Sequence, residues 1–159
     1  MYNTIEITWG GNAKPRINQI IADFVAKRIK DCSSGWDRFV SMGILKSNFL
    51  VAGIIYHNYC PISRVIELSG ASDCKSWLSR SVLKEIYSYP WNQLCCQAVI
   101  HRIPDEDYPQ HRMLTSLGGI RYRIPRLRGR NAAENIYVIT HEAWMHNKIN
   151  RQSSVHKSL

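Results

Sequence analysis

The sequence predicts one α/β domain built on a mixed β-sheet. The chain of 159 residues suits a single hydrophobic core. Its predicted elements follow the order β, α, three strands, α, β, α and two strands. Short connections make the early strands antiparallel, whereas one strand–helix–strand crossover places two strands parallel. We therefore expect a single domain over residues 1–150, followed by a polar tail over residues 151–159.

The first predicted strand covers residues 3–9, and Gly10-Gly11 ends it. A helix follows, with Pro15 suited to its first turn. Its apolar residues recur at helical spacing and form one face. They are Ile17, Ile20, Ile21, Phe24, Val25 and Ile29.

The middle of the chain predicts a hairpin and the crossover. Residues 36–45 and 49–59 flank a short loop and form a β-hairpin. Residues 64–69 form the next strand, a polar connector covers 70–79, and a second helix stops near Pro90. Residues 94–103 are nearly all apolar, which indicates a central strand covered on both faces.

The last third predicts a helix over residues 105–117 that Gly118-Gly119 terminates. Two closing strands cover residues 121–127 and 135–140. The crossover from strand 64–69 through the helix to strand 94–103 is the only parallel junction that we expect.

Composition narrows the classes of partner and location. Lys and Arg number 21 against 12 Asp and Glu, a net charge of +9, which favours a nucleic acid or a phosphate-rich cofactor. The longest apolar run, Phe49–Tyr56, is far shorter than the ~20 residues that span a bilayer. No secretory signal is evident at the N-terminus, so we expect a cytoplasmic protein without a membrane partner.

The five cysteines form no CxxC pair, and we expect reduced thiols and no metal site.

Several short motifs, spread over roughly residues 36–145, are typical of one superfamily. They are HNYCP at 57–61, IELSGAS at 66–72, WLSR at 77–80, NQLCCQ at 92–97, IPRLRGR at 124–130 and THEAW at 140–144. In order and spacing they resemble the Gcn5-related N-acetyltransferase (GNAT) superfamily, in particular small phage and prophage acetyltransferase-like proteins. The resemblance implies a phage-encoded N-acetyltransferase that binds acetyl-CoA between its two parallel strands.

The resemblance places the cofactor pyrophosphate at the start of the second helix, near residues 79–81, where free backbone N–H groups bind anions. The predicted phosphate loop covers residues 71–80. It reads GASDCKSWLSR from Gly70 and lacks the family's glycine pattern, so an ordinary polar connector is the alternative. The candidate cofactor-binding residues are Ser69, Ser72, Ser76, Ser79 and Arg80.

Amide formation needs a base for the attacking amine, and Glu67 is the first candidate. It lies within the apolar strand RVIEL, where a carboxylate is partly desolvated and the resembling fold often carries its base. His57 is the second candidate, and Asn58 and Tyr59 beside it are candidates for substrate binding. The alternatives are a structural ion pair for Glu67 and a polar strand end at His57. The family's proton-donating Tyr corresponds to Leu114, so no residue is assigned to that step.

A run of arginines suggests a second function. Alternation along a strand predicts that Arg121 and Arg123 share one face, and that Arg126, Arg128 and Arg130 share another. Guanidinium groups chelate phosphates, so the run is a candidate for binding DNA or substrate, although a solvated basic edge strand is the alternative.

The chain is also similar in class and charge to Mom-type phage proteins, which modify DNA adenine against restriction. A third hypothesis is a degenerate GNAT fold that serves as an interaction or virion protein.

Overall fold

The fold was analysed in a computed structural model, which describes residues 4–30, 32 and 34–151. Apart from Arg151, the predicted polar tail lies outside the described residues. The strands are β1 (Ile5–Gly10), β2 (Phe39–Lys46), β3 (Phe49–Cys60), β4 (Val65–Ser72), β5 (Ala98–Pro104), β6 (Ile120–Gly129) and β7 (Ala132–Thr140). The helices are α1 (Pro15–Ala26), α2 (Arg80–Ser88), α3 (Tyr108–Ser116) and α4 (His141–His146). None of these helices is long and apolar enough to cross a membrane.

The described strands form one sheet in the order β1-β2-β3-β4-β5-β7-β6. The pair β4–β5 is parallel, and the other neighbouring strands run antiparallel. The predicted α/β class, with antiparallel early strands and one parallel junction, is therefore confirmed. Helix α2 makes the connection between the two parallel strands.

Helices cover the two faces of the sheet differently. Helix α1 packs its apolar side on Ile55 of β3 and Ala71 of β4. Helices α2, α3 and α4 cover the opposite face, where Ile66 and Leu68 of β4 join the larger core. Because side chains alternate along a strand, Glu67 and Ser69 lie on the α1 face.

Two glycines allow α1 to approach the sheet closely. Gly43 and Gly53 are register partners on β2 and β3. A Cβ added at Gly53 would lie 2.7 Å from Val25 Cγ2 and 3.0 Å from Ile21 Cγ2. The hairpin between these strands turns at Ser47 and Asn48, both with positive φ (51° and 66°), as a two-residue hairpin turn requires.

The structure differs from the sequence prediction at several element boundaries and adds one helix. Strand β4 extends to Ser72 because the long strand β3 still offers Ala52 as its partner. Strand β5 begins at Ala98 instead of residue 94, and a π-helical turn over Tyr89–Gln93 lies before it. Helix α4 was not predicted; Thr140 caps it by accepting a hydrogen bond from the Ala143 amide at 3.1 Å.

A buried imidazole lies beneath α2. His101 Nε2 is 2.7 Å from the Tyr87 hydroxyl, and both residues are buried. Burial lowers the pKa of His101 to about 4. An unfolded chain has an ordinary histidine pKa of about 6.5, so between these two values the unfolded state binds one proton more than the folded state.

We predict that the free energy of unfolding falls as the pH drops from about 6.5 to about 4, by about 1.4 kcal/mol per pH unit for each such histidine. His101→Gln should make this slope shallower by about one proton, measured by urea unfolding across the pH range. His146→Gln removes an exposed imidazole and is the control. Equal slopes in the wild type and His101→Gln would show that His101 is not buried as a neutral group.

Candidate active site

The two parallel strands separate soon after they pair. Strands β4 and β5 share only the pairs Val65–Ala98, Ile66–Val99 and Glu67–Ile100. Beyond Glu67, β4 continues beside β3 as far as Ser72, and β5 continues beside β7 to Pro104. The facing edges of β4 and β5 are thus left without a strand partner, and a gap opens in the sheet at Glu67.

The Glu67 carboxylate lies at the point where this gap begins, with 15% of its side chain exposed. Asn58 Nδ2 donates to Glu67 Oε2 at 2.9 Å. Asn58 has φ 52° and lies in the irregular pairing between His57 and Cys60, which turns its side chain towards β4. Glu67 Oε1 accepts no hydrogen bond from any described residue and remains available to a substrate.

His57 is the cross-strand neighbour of Glu67, and its Nε2 lies 4.0 Å from Glu67 Oε1. The same nitrogen is 2.8 Å from Ser69 Oγ, and the Trp36 ring lies 5.7 Å from the imidazole between centroids. Burial lowers the pKa of His57; the Glu67 charge opposes this shift, and the Arg102 charge adds to it. The imidazole is therefore neutral at neutral pH and is held by Ser69.

The start of α2 lies on the other face of the sheet. Ser79 caps the helix by accepting from the Val82 amide at 3.2 Å. The backbone N–H groups of Arg80 and Ser81 donate to no described residue, and Lys75 in the preceding loop has no ion-pair partner there. Free helix-start N–H groups beside a lysine suit an anion such as a pyrophosphate.

The other candidate cofactor residues are engaged locally. The Arg80 guanidinium donates to the carbonyls of Lys148, Ile149 and Arg151 at 3.2, 2.7 and 2.6 Å. Ser72 belongs to β4 instead of the predicted loop, and its Oγ accepts from the Cys74 amide at 3.0 Å. Ser76 Oγ is 3.3 Å from Cys74 Sγ. Their roles in cofactor binding stay predictions.

The arginine run divides between the two faces of the sheet. Arg121 and Arg123 both approach Asp105, at 3.7 and 2.7 Å, and hold the pKa of that carboxyl far below its usual range, together with hydrogen bonds from Arg123 and Asn135. Arg128 lies on the face of Glu67 and pairs with Glu134 at 2.7 Å. Arg126 and Arg130 form no ion pair with the described part of the chain.

Two of the remaining predictions concern Tyr59 and Leu114, and the third concerns metal binding. The Tyr59 hydroxyl lies 3.4 Å from the Leu94 carbonyl, at the loop before β5. Leu114 is fully buried, and His111 is held between the Tyr137 hydroxyl (2.7 Å) and the Pro104 carbonyl (3.0 Å). Within the described ranges, no group of three or more His, Cys, Asp or Glu side chains is placed to hold a metal.

Sequence reasoning missed three residues of this region. Arg102 is a charged residue within an otherwise apolar central strand, and Glu134 shares the alternation of Ile136 and Val138; both patterns were readable signals. Trp36 carries no such signal, because its position over His57 depends on how the loop after α1 folds back. Each of the three lies on the same face of the sheet as Glu67 and His57 or beside them.

This sheet order, with one parallel pair among the described strands, matches the GNAT fold. Among solved structures, spermidine N-acetyltransferase SpeG from Vibrio cholerae matches with TM-score 0.68 over 91% of this chain and 98% of its own, at 9% sequence identity. An acetyltransferase of the GNAT family from Bacillus anthracis matches with TM-score 0.54 over 64% of this chain and 66% of its own, at 17% identity.

A crystal structure described as that of an acetyltransferase matches with TM-score 0.57, at 18% identity over 67% of this chain. The matched part spans only 61% of that protein's length. No protein-family model matches the sequence, and a search of curated proteins finds no match. At these identities the likeness establishes the fold, and activity must be argued from the site.

We predict opposite shifts in the His57 pKa when its two charged neighbours are neutralised. Glu67→Gln removes the charge that opposes the shift, so the pKa should fall further; Arg102→Met should raise it. Titration of the imidazole ring protons by NMR measures both. Glu6→Gln on β1, three strands from β4, is the control. An unchanged His57 pKa in both variants would show that neither charge acts on this imidazole.

Proposed function

We propose that the protein is an acyl-CoA-dependent N-acetyltransferase that acetylates an amine. The observation that carries the proposal is the position of Glu67, a largely buried carboxylate with one free oxygen at the opening between β4 and β5. A base must lie within reach of the attacking amine, and Glu67 lies where the pairing of the two parallel strands ends.

The two faces separate the two substrates. Helix α2, with free N–H groups at its start, lies on one face, whereas Glu67, His57 and Ser69 lie on the other. Acetyl-CoA, when bound, supplies the acetyl group as an activated thioester. Arg80 and Ser81 of α2 would hold its pyrophosphate through their backbone N–H groups, with Lys75 contributing charge.

The reaction transfers one acetyl group and one proton. The amine nitrogen forms an amide bond with the acetyl carbon as the thioester C–S bond breaks. The amine proton would pass to Glu67 Oε1 and from there to solvent, which restores the carboxylate. The CoA thiolate would take up one proton from solvent, so that the products are the amide and the free thiol. Asn58 fixes the carboxylate by its hydrogen bond to Oε2, which leaves Oε1 free to accept the proton.

His57 supports the base without carrying the proton itself. Its lowered pKa keeps it neutral, so it does not form a tight ion pair that would weaken Glu67 as an acceptor. Ser69 holds the imidazole at 2.8 Å, and Trp36 covers it on the side of the loop after α1.

The alternative functions have less support. Three of the five arginines, Arg121, Arg123 and Arg128, are paired with carboxylates, which reduces the charge offered to a DNA backbone. A phage origin and Mom-like DNA modification have no counterpart among the matching structures named above. The degenerate interaction protein differs from our proposal in a measurable way, since it would not bind acetyl-CoA.

Calorimetric titration with acetyl-CoA should show micromolar binding. Lys75→Ala should weaken binding about 1.4- to fivefold, because an exposed charge pair contributes about 0.2–1 kcal/mol. Lys84→Ala, further along α2, should bind acetyl-CoA as the wild type does. Absence of binding to the wild-type protein would refute the acetyltransferase proposal and favour the interaction protein.

Glu67→Gln should lower kcat about 100- to 10,000-fold, the usual contribution of a positioned base, with unchanged affinity for acetyl-CoA. Steady-state acetylation of a panel of amines measures the loss, and Glu6→Gln is the matched control on an exposed strand. If Glu67→Gln retained full activity, Glu67 would not be the catalytic base.

A further inference from the structure

Two arginines near Glu67 share one buried carboxylate. Glu134 on β7 has only 4% of its side chain exposed. Its Oε2 lies 3.2 Å from Nε and Nη2 of Arg102 on β5, and its Oε1 lies 2.7 Å from Nε of Arg128 on β6. A single negative charge therefore faces two positive ones, and the cluster keeps one uncompensated positive charge.

The cluster lies on the same face of the sheet as the proposed base. Arg102 is two residues beyond Ile100, which is the register partner of Glu67, so alternation places both side chains on one face. The Arg102 charge lowers the pKa of His57. Desolvation raises the pKa of Cys32; the Glu67 charge also raises it and the Arg128 charge lowers it, so this thiol lies within reach of both.

Both guanidinium groups keep donors that no described residue uses. Arg102 engages Glu134 through Nε and Nη2 and leaves Nη1, while Arg128 engages it through Nε and leaves both Nη atoms. The side chains are 42% and 21% exposed, so a ligand can reach them. Because Glu134 fixes both Nε groups, the free ends are held in place before a ligand arrives.

We propose that Arg102 and Arg128 bind an oxyanion, a carboxylate or phosphate, carried by the acceptor amine. This deepens the proposed acetyltransferase function and rests on it. Guanidinium groups bind both oxyanions through paired, charge-assisted hydrogen bonds, and the amine would then face Glu67 Oε1. Glu134 is a positioning residue that acts through the two arginines.

The proposal separates this chain from its structural neighbour. SpeG is described as a spermidine acetyltransferase, and spermidine is a polycation. Here two arginines with free donors lie on the acceptor side. Arg126 of β6 and Arg130 of the turn after it, which form no ion pair with the described residues, add positive charge. Like charges repel, so a polyamine should be a poor acceptor.

The test compares amines that differ in one anionic group. 4-Aminobutyrate and 2-aminoethyl phosphate are matched with butylamine and ethanolamine, and spermidine is added. We expect kcat/KM to be about 10- to 100-fold higher for the anionic member of a pair, the usual effect of a hydrogen bond to a charged group. The carboxylate and phosphate pairs show which oxyanion is preferred.

Variants assign the preference to the cluster. Arg102→Met and Arg128→Met should each raise KM for the anionic amines more than KM for the neutral amines; Glu134 keeps one arginine partner in either variant. Glu134→Gln should raise KM for the anionic amines more than KM for the neutral amines, because both arginines lose the group that positions them. Arg112→Met, an exposed arginine on α3, is the control. A loss of activity with all amines alike in the two arginine variants would contradict a role in anion binding.

The outcomes separate this inference from the function on which it rests. Equal or better acetylation of neutral amines or spermidine would overturn the anion site and leave the acetyltransferase proposal standing. If no amine is acetylated, NMR titration of the arginine Nε–H signals with inorganic phosphate and propionate decides. Shifts of the Arg102 and Arg128 signals in the wild type, with loss of the Arg102 shift in Arg128→Met, would support the anion site alone. Absence of shifts in the wild type would overturn it.

Discussion

The loss of pairing between β4 and β5 after only three residue pairs is the constraint on which the site depends. Parallel strands are normally joined along their length, and an unpaired strand edge inside a sheet leaves backbone groups that need another partner. Here the neighbours β3 and β7 hold each strand on its outer edge, so the sheet stays intact while its centre opens.

The charged residues are arranged around this opening on one face. Glu67 lies at its start, and Arg102 lies two residues further along the other side, where Glu134 ties it to Arg128. The arginines do not pair with the proposed base, because Arg102 pairs with Glu134 and Glu67 keeps one oxygen free. The buried carboxylate thus protects the proposed base from neutralisation by the nearest arginines.

Local patterns were enough to predict the order of elements and the parallel junction. Apolar periodicity gave α1, and the short loops gave the early antiparallel strands, because both depend on neighbours in sequence. Glu67 was found as a candidate because a carboxylate inside an apolar strand stands out. Its contact with Asn58 could not be foreseen, since it arises from a backbone irregularity and a positive φ. The pairing of Glu134 with Arg102 and Arg128 joins three strands, and sequence distance hides it.

The Arg80 guanidinium links the start of α2 to the segment that follows α4. Its hydrogen bonds go to three neutral carbonyls of residues 148–151. A phosphate is a stronger acceptor than a carbonyl, so a phosphate bound at the helix start, as proposed above, would compete for the same guanidinium. If Arg80 changed partner, those carbonyls would return to water and the segment would lose its tie to α2. Ligand binding and the attachment of that segment would then be thermodynamically linked, each opposing the other by the same free energy.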